Sequence, residues 1–167
     1  AEIEAASETV DYFRFGVHCM NELYREQPAS EEGVINRLEY RPLEGFIYAI
    51  SPFNFTALAA NLPMAPVMMG NTVVWKPATT SLLSSYYLMK IFMEAGVPAG
   101  VLNFVPGSGS DITSVLLGRQ ELAGIHFTGS TEVFRDLWKG VSDNLSSYRS
   151  YPRLVGETGG KDFIFIH

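Results

Sequence analysis

Val10, Phe13, Val17, Met20 and Tyr24 recur at alternating steps of three and four residues, a spacing that sets them on one helical face. It predicts an amphipathic helix over Ile3–Leu23. The polar stretch QPASEEG ends that pattern, and VINRLEYRPLEGFIYAIS follows as two extended runs parted by the turn residues Pro42 to Gly45, a short hairpin. The apolar stretch after Asn54 is interrupted by two prolines, Pro63 and Pro66. A regular alternation then sets in. NTVVWK is a short β-branched run; SLLSSYYLMKIFMEAG has helical periodicity, with Ser81 near its start and Gly96 at its stop; VLNFV is strand-like. SDITSVLLG reads as a short helix, GIHFT as a strand, STEVFRDLWKGVSDNLSSY as a helix opened by a capping Ser or Thr, and KDFIFIH as a final strand. Strands alternating with helices of this length specify parallel βαβ units. The pattern predicts a doubly wound, Rossmann-like α/β sheet preceded by an N-terminal helix and the short hairpin.

Ligands of such sheets bind outside the carboxyl ends of the strands. The segments to inspect are therefore SPFN, KPATT, PGSGS, TGSTE and GETGG. Each is rich in small or hydrogen-bonding residues, which βα turns require in any case. PGSGSDI, from Pro106, approaches the dinucleotide fingerprint G-x-G-x-x-G but carries Ile112 at the third glycine position. FTGSTEV is better placed, because Gly129 and Ser130 fall where a strand becomes a helix. Free N–H groups and the helix dipole there suit a pyrophosphate, while Ser130 or Thr131 serves equally as a plain N-cap.

Composition narrows the classes. At 167 residues the chain suits one domain with a sizeable core. No apolar run approaches the roughly 20 residues of a membrane span, so no membrane partner is expected. A formal net charge of -6 without a basic stripe argues against nucleic acid. The single cysteine, Cys19, excludes internal disulfides. His18 has no companion at metal-ligand spacing, and His126 and His167 sit in predicted strands, so no metal site is expected.

Taken together, SPFNF, the WKP that ends the next strand, EAGVPAGVLNFVPGSG, FTGSTEV and GETGGK stand in the order and approximate spacing that they have in aldehyde dehydrogenases. The chain resembles that family over nearly its whole length. YFRFGVHCMNELYREQP, LEGFIYAISPFNFTALAANL and YPRLVGETGGKDFIFIH resemble in particular the branch that oxidises glutamate γ-semialdehyde, formed from 1-pyrroline-5-carboxylate, to glutamate in proline breakdown. The resemblance implies NAD as cofactor, a small aldehyde as substrate, a homo-oligomeric parent enzyme, and the mitochondrial matrix in a eukaryote or the cytoplasm otherwise.

It also assigns roles. Asn54 matches the asparagine whose amide stabilises the oxyanion formed when a thiolate adds to the aldehyde. Glu157 matches the glutamate that activates water to hydrolyse the thioester. Lys76 matches the lysine that bonds the adenosine ribose hydroxyls, Ser51, Pro52 and Phe53 the stretch beside the nicotinamide half, and Gly107 the glycine near the adenine ribose. Phe127, Gly129, Ser130, Thr131 and Val133 resemble the surroundings of adenine and pyrophosphate, and Gly159 a close approach to the nicotinamide. Without the resemblance, Asn54 would be a turn residue, Lys76 a solvated strand end and Glu157 an exposed loop carboxylate.

Two departures bear on this assignment. Thr79 stands where many NAD-preferring relatives have a glutamate, and Phe134 replaces a frequent glycine. The family nucleophile, a cysteine, falls beyond His167, and Cys19 lies in a helical row with Tyr12, Phe15 and Leu23, where a cysteine is usually a small packed hydrophobe. The expectation is an N-terminal helical segment over 1–30 and part of an NAD-binding domain over 31–167, truncated before the catalytic domain and inactive alone. Alternatives are a non-catalytic dinucleotide-binding module, an aldehyde dehydrogenase of another substrate class, and a reductase built on Tyr86 and Lys90, whose order relative to the glycine turn is reversed.

Overall fold

Five short strands pair side by side in the computed structural model, which describes residues 2–160 and 163–166. They are β1 (Phe46–Ile50), β2 (Thr72–Lys76), β3 (Leu102–Phe104), β4 (Leu122–Gly129) and β5 (Arg153–Thr158). All pairings are parallel, in the order β3-β2-β1-β4-β5. The chain winds outward from β1 to β3, then returns to place β4 on the other side of β1. The strand order thus reverses between β1 and β4, the point where such sheets open a crevice.

Helices connect the strands: α2 (Thr56–Met68), α3 (Leu82–Glu94), α4 (Gly109–Leu117) and α5 (Thr131–Asp143), with α1 (Thr9–Arg25) ahead of them. The alternation along β1 divides the core. Ile47 and Ala49 point to one face, packed with Val73, Trp75, Leu88 and Phe92. Tyr48 points to the other, with Phe127, Leu137 and Val141. α1 joins the first layer: Phe13 meets Phe92 edge-on at 6.0 Å, and Gly16 makes room for Met68, whose Cε would lie 2.6 Å from a Cβ there. A π-helical turn over Glu4–Glu8 leads into α1. Of the expected helix ends, Ser130 caps α5 by accepting from the Val133 amide and Gly96 ends α3 with φ +100°, whereas Ser81 precedes α3 without a side-chain cap bond; Ser108 caps α4, accepting from the Asp111 amide. Among the described residues no helix is long and apolar enough to cross a membrane, and no group of three His, Cys, Asp or Glu side chains is arranged to hold a metal.

The structure departs from the sequence expectations in three places. First, α2 is a helix despite Pro63 and Pro66. Pro66 has no N–H for the Leu62 carbonyl, and His126 on β4 meets that oxygen instead, with Nδ1 2.9 Å away. The helix is apolar on all sides and buried on most, so tertiary packing outweighs the proline penalty. Second, the run after Val34 forms no hairpin with β1. Both edges of β1 are already taken, by β2 and β4. The run is held by Gln27, whose amide accepts from the Leu38 N–H at 2.7 Å and donates to the Leu38 carbonyl at 3.4 Å. Third, the strand after α5 is β5, not KDFIFIH. Phe163 to Ile166 belong to no strand, and Lys161, Asp162 and His167 lie outside the described residues. The free edge of β4 goes to Arg153–Thr158, which arrives there first after α5.

Candidate functional site

Two cavities open at the carboxyl ends of the strands. The first, about 570 Å³, lies at the point of strand-order reversal. Its walls include Phe53 and Asn54 from the β1–α2 connection, Thr128 and Ser130 from the end of β4, and Glu157 and Gly159 from β5 and beyond. The strand register explains the last pair, since Thr128 sits opposite Glu157. The Thr128 hydroxyl donates to Glu157 Oε2 at 3.3 Å. Asn54 is exposed, and its amide makes no hydrogen bond among the described residues. Its position comes from its neighbours. Ser51 behind it is buried and accepts from Trp75 Nε1 at 2.9 Å, while its own N–H donates to the Lys76 carbonyl at 3.3 Å.

The second cavity, about 580 Å³, lies between the sheet, α4 and α5. Its inner wall is apolar, with Ile50, Leu117, Val133 and Leu137, and its mouth carries Lys76, Gly109, Ser110 and Asp136. The Tyr48 hydroxyl and Thr113 Oγ1 pair at 3.0 Å on its floor, and burial raises the tyrosine pKa against that bond. Lys76 extends from the end of β2 to the first turn of α4. A Cβ on Gly109 would stand 3.7 Å from its Nζ, so the missing side chain leaves the ammonium reachable from the cavity. Partial burial lowers the Lys76 pKa, and no carboxylate pairs with it among the described residues. A lone ammonium beside serine and threonine hydroxyls and the N–H groups of a helix start suits a ligand bearing hydroxyl or phosphate oxygens.

The other residues singled out by sequence are placed as follows. Pro52 is half-buried beside Ser51. Gly107, at φ +152°, turns the chain into α4 and lines neither cavity. Phe127 is 3% exposed and stacks on Phe134 at 5.7 Å, inside the core. Gly129 lines the first cavity, and a Cβ there would stand 2.6 Å from Phe127 Cζ. Ser130 caps α5, and Thr131 is its first residue. Cys19 is exposed on α1 and lines neither cavity. Tyr86 and Lys90 also line neither; on α3 the ammonium lies 6.0 Å from the tyrosine ring centre.

Sequence reading missed Thr128, Tyr48, Thr113 and Asp136. For Thr113 a signal existed: Gly109, Thr113 and Leu117 are four residues apart, on one face of α4, and that face lines the cavity. For Thr128 the signal was its place at the end of a strand beside the reversal.

The chain belongs to the aldehyde dehydrogenase family, whose model matches residues 1–167. Among its relatives, the delta-1-pyrroline-5-carboxylate dehydrogenase of Agaricus bisporus is 54% identical over 168 residues, covering 100% of this chain and 31% of that protein. The mitochondrial delta-1-pyrroline-5-carboxylate dehydrogenase of Emericella nidulans is 53% identical over 170 residues, covering 100% of this chain and 30% of that one. The crystal structure of the delta-pyrroline-5-carboxylate dehydrogenase from Mycobacterium tuberculosis bound with NAD superposes with a TM-score of 0.94 at 53% identity, covering 96% of this chain and 30% of that one. The chain thus spans about 30% of the length of these relatives.

Proposed function

We propose that the chain is the NAD-binding portion of an enzyme that oxidises L-glutamate γ-semialdehyde, the open form of 1-pyrroline-5-carboxylate, to L-glutamate. The observation that carries this reading is the convergence of Asn54 and Glu157, far apart in sequence, on one cavity at the strand-order reversal. The second cavity, with its unpaired Lys76, supports the dinucleotide. The relatives named for this activity, and the NAD-bound neighbour, support the substrate and cofactor.

When bound, NAD accepts the hydride. In this reading Lys76 donates hydrogen bonds to the adenosine ribose, and the start of α5 at Gly129, Ser130 and Thr131 faces the pyrophosphate. Asn54 donates its side-chain N–H to the oxyanion that forms on the substrate carbon. Glu157, with Oε2 held by Thr128, takes a proton from water with its other oxygen as the thioester is hydrolysed. The attacking thiolate comes from elsewhere in the polypeptide, since Cys19 stands on α1 outside this cavity. Phe53 and Gly159 flank the cofactor with Ser51 and Pro52 behind them, Gly107 shapes the turn into α4 outside both cavities, and Phe127 and Val133 support the adenine end. The division into a helical segment over 1–30 and a cofactor-binding domain over 31–167, a homo-oligomeric parent, and a mitochondrial or bacterial cytoplasmic setting belong to the same proposal.

Calorimetric titration of the chain with NAD tests the first half. Lys76→Ala is expected to weaken binding by about 1–3 kcal/mol, the range for a hydrogen bond to a charged group; unchanged affinity refutes the assignment. In the complete polypeptide, Glu157→Gln is expected to keep a stoichiometric burst of NADH and lose steady turnover. Loss of the burst as well would remove Glu157 from water activation.

A further inference from the structure

Asn54 is weakly anchored: exposed, with no side-chain hydrogen bond among the described residues, in a five-residue connection between β1 and α2. Its upstream end is fixed by Ser51 and Trp75. Its downstream end depends on how α2 begins. The first N–H groups of any helix have no acceptor within the helix, and the N-cap residue of α2, Phe55, has no side-chain oxygen to offer. The acceptor comes from far away in sequence. Glu4, on the π-helical turn ahead of α1, receives the Ala57 N–H on Oε1. Its carboxylate also complements the positive end of the α2 dipole.

The same contact borders the site. A small cavity of about 200 Å³ is lined by Glu4, Glu8 and Tyr12 on one side and by Phe55, Ala57, Leu58 and Glu157 on the other, and Phe55, Leu58 and Glu157 line the Asn54 cavity as well. The geometry points to Glu4 as a positioning residue for Asn54: a cap supplied in trans along the chain, which sets the first turn of α2 and so the direction of the amide two residues ahead of it. The π-turn at Glu4–Glu8 is the local device that brings the carboxylate to α2. This inference rests on the reading of Asn54 as the oxyanion donor.

The test uses the complete polypeptide carrying this chain, assayed for NAD reduction with glutamate γ-semialdehyde. Glu4→Ala is expected to lower kcat by about tenfold to a hundredfold, as small misplacements of a reacting group do, with KM for NAD changed less than about twofold, because the cavity of Lys76 shares no lining residue with the small cavity at Glu4. Glu4→Gln keeps an acceptor oxygen and is expected to recover most of kcat, which also covers the case in which the alanine variant fails to fold. In an Asn54→Ala background the Glu4→Gln and Glu4→Ala variants are expected to have the same kcat, since no amide remains to be aimed. A loss in Glu4→Ala that persists undiminished in the Asn54→Ala background overturns the positioning role, as does a Glu4→Ala enzyme with wild-type kcat. If Asn54→Ala alone leaves kcat unchanged, the oxyanion reading fails first and this inference falls with it.

Discussion

Replacing His126 by leucine tests whether a side chain on β4 completes the hydrogen bonding of α2. In the wild type Pro66 cannot bond to the Leu62 carbonyl, and His126 Nδ1 supplies that bond at 2.9 Å. Leucine fills a similar volume without a donor, and a part-buried carbonyl left unmet costs about 1–3 kcal/mol. For a domain of this size each kcal/mol moves Tm by about 2–4 °C, so His126→Leu is expected to lower Tm by about 2–12 °C. Pro66→Ala provides the control. An alanine at 66 has its own N–H for Leu62, so His126→Leu should cost about 1 kcal/mol less in that background. Urea unfolding followed by tryptophan fluorescence reports all four proteins, since Trp75 is fully buried. Equal costs of His126→Leu with and without Pro66, within about 0.5 kcal/mol, would refute the complementation and return His126 to the status of ordinary core filler.

Further outcomes follow from the same structure. Burial lowers the His126 pKa, against the opposing effects of the Leu62 carbonyl and Glu157; the unfolded chain then takes up the proton more readily, so stability falls as pH drops below the ordinary histidine value of about 6.5. Urea midpoints from pH 7.5 down to 5 should show that loss in the wild type and less of it in His126→Leu. Gly156→Ala would put a Cβ 2.3 Å from Phe134 Cε2, and the ring is hemmed in by Phe127 and Trp138; a cost of about 1–3 kcal/mol is expected, relieved in part by Phe134→Leu in the same denaturation assay. Gly45→Ala, at φ +119° with a Cβ 2.0 Å from the Glu121 carbonyl oxygen, has only backbone to displace, and a cost of about 3 kcal/mol or more is expected by the same measurement.

How far the sequence could be read depended on what each segment had to offer. α3, α4 and α5 were legible from their helical patterns, helped by Gly96, which stops α3, and Ser130, which caps α5; Ser81 marks the start of α3 without capping it. α2 was not, because a helix apolar on every side has no period to detect and its prolines argue against it. Its backbone hydrogen bonding is completed by His126 and Glu4, partners that only the fold brings near. β5 was missed for a related reason. RLVGET is poorer in β-branched and aromatic residues than the later FIFI, and what selects it is the open edge of β4, a tertiary fact. At the site, motif order pointed to Asn54, Lys76 and Glu157. The Thr128–Glu157 bond and the Tyr48–Thr113 floor depend on strand register and helix rotation, which motifs do not encode.

The return of the chain across β1 also sets a timetable. Phe46 pairs with Thr72 on one side and with Leu122 on the other, so the first contact closes a short loop and the second a much longer one. Loop closure is slower for distant partners, and during synthesis β1, β2 and β3 are made before β4. The crevice lies on the seam between this early half and the late pair β4 and β5, and is therefore completed last. Until β4 docks, one edge of β1 stands open and apolar, the state in which a nascent chain most needs a chaperone.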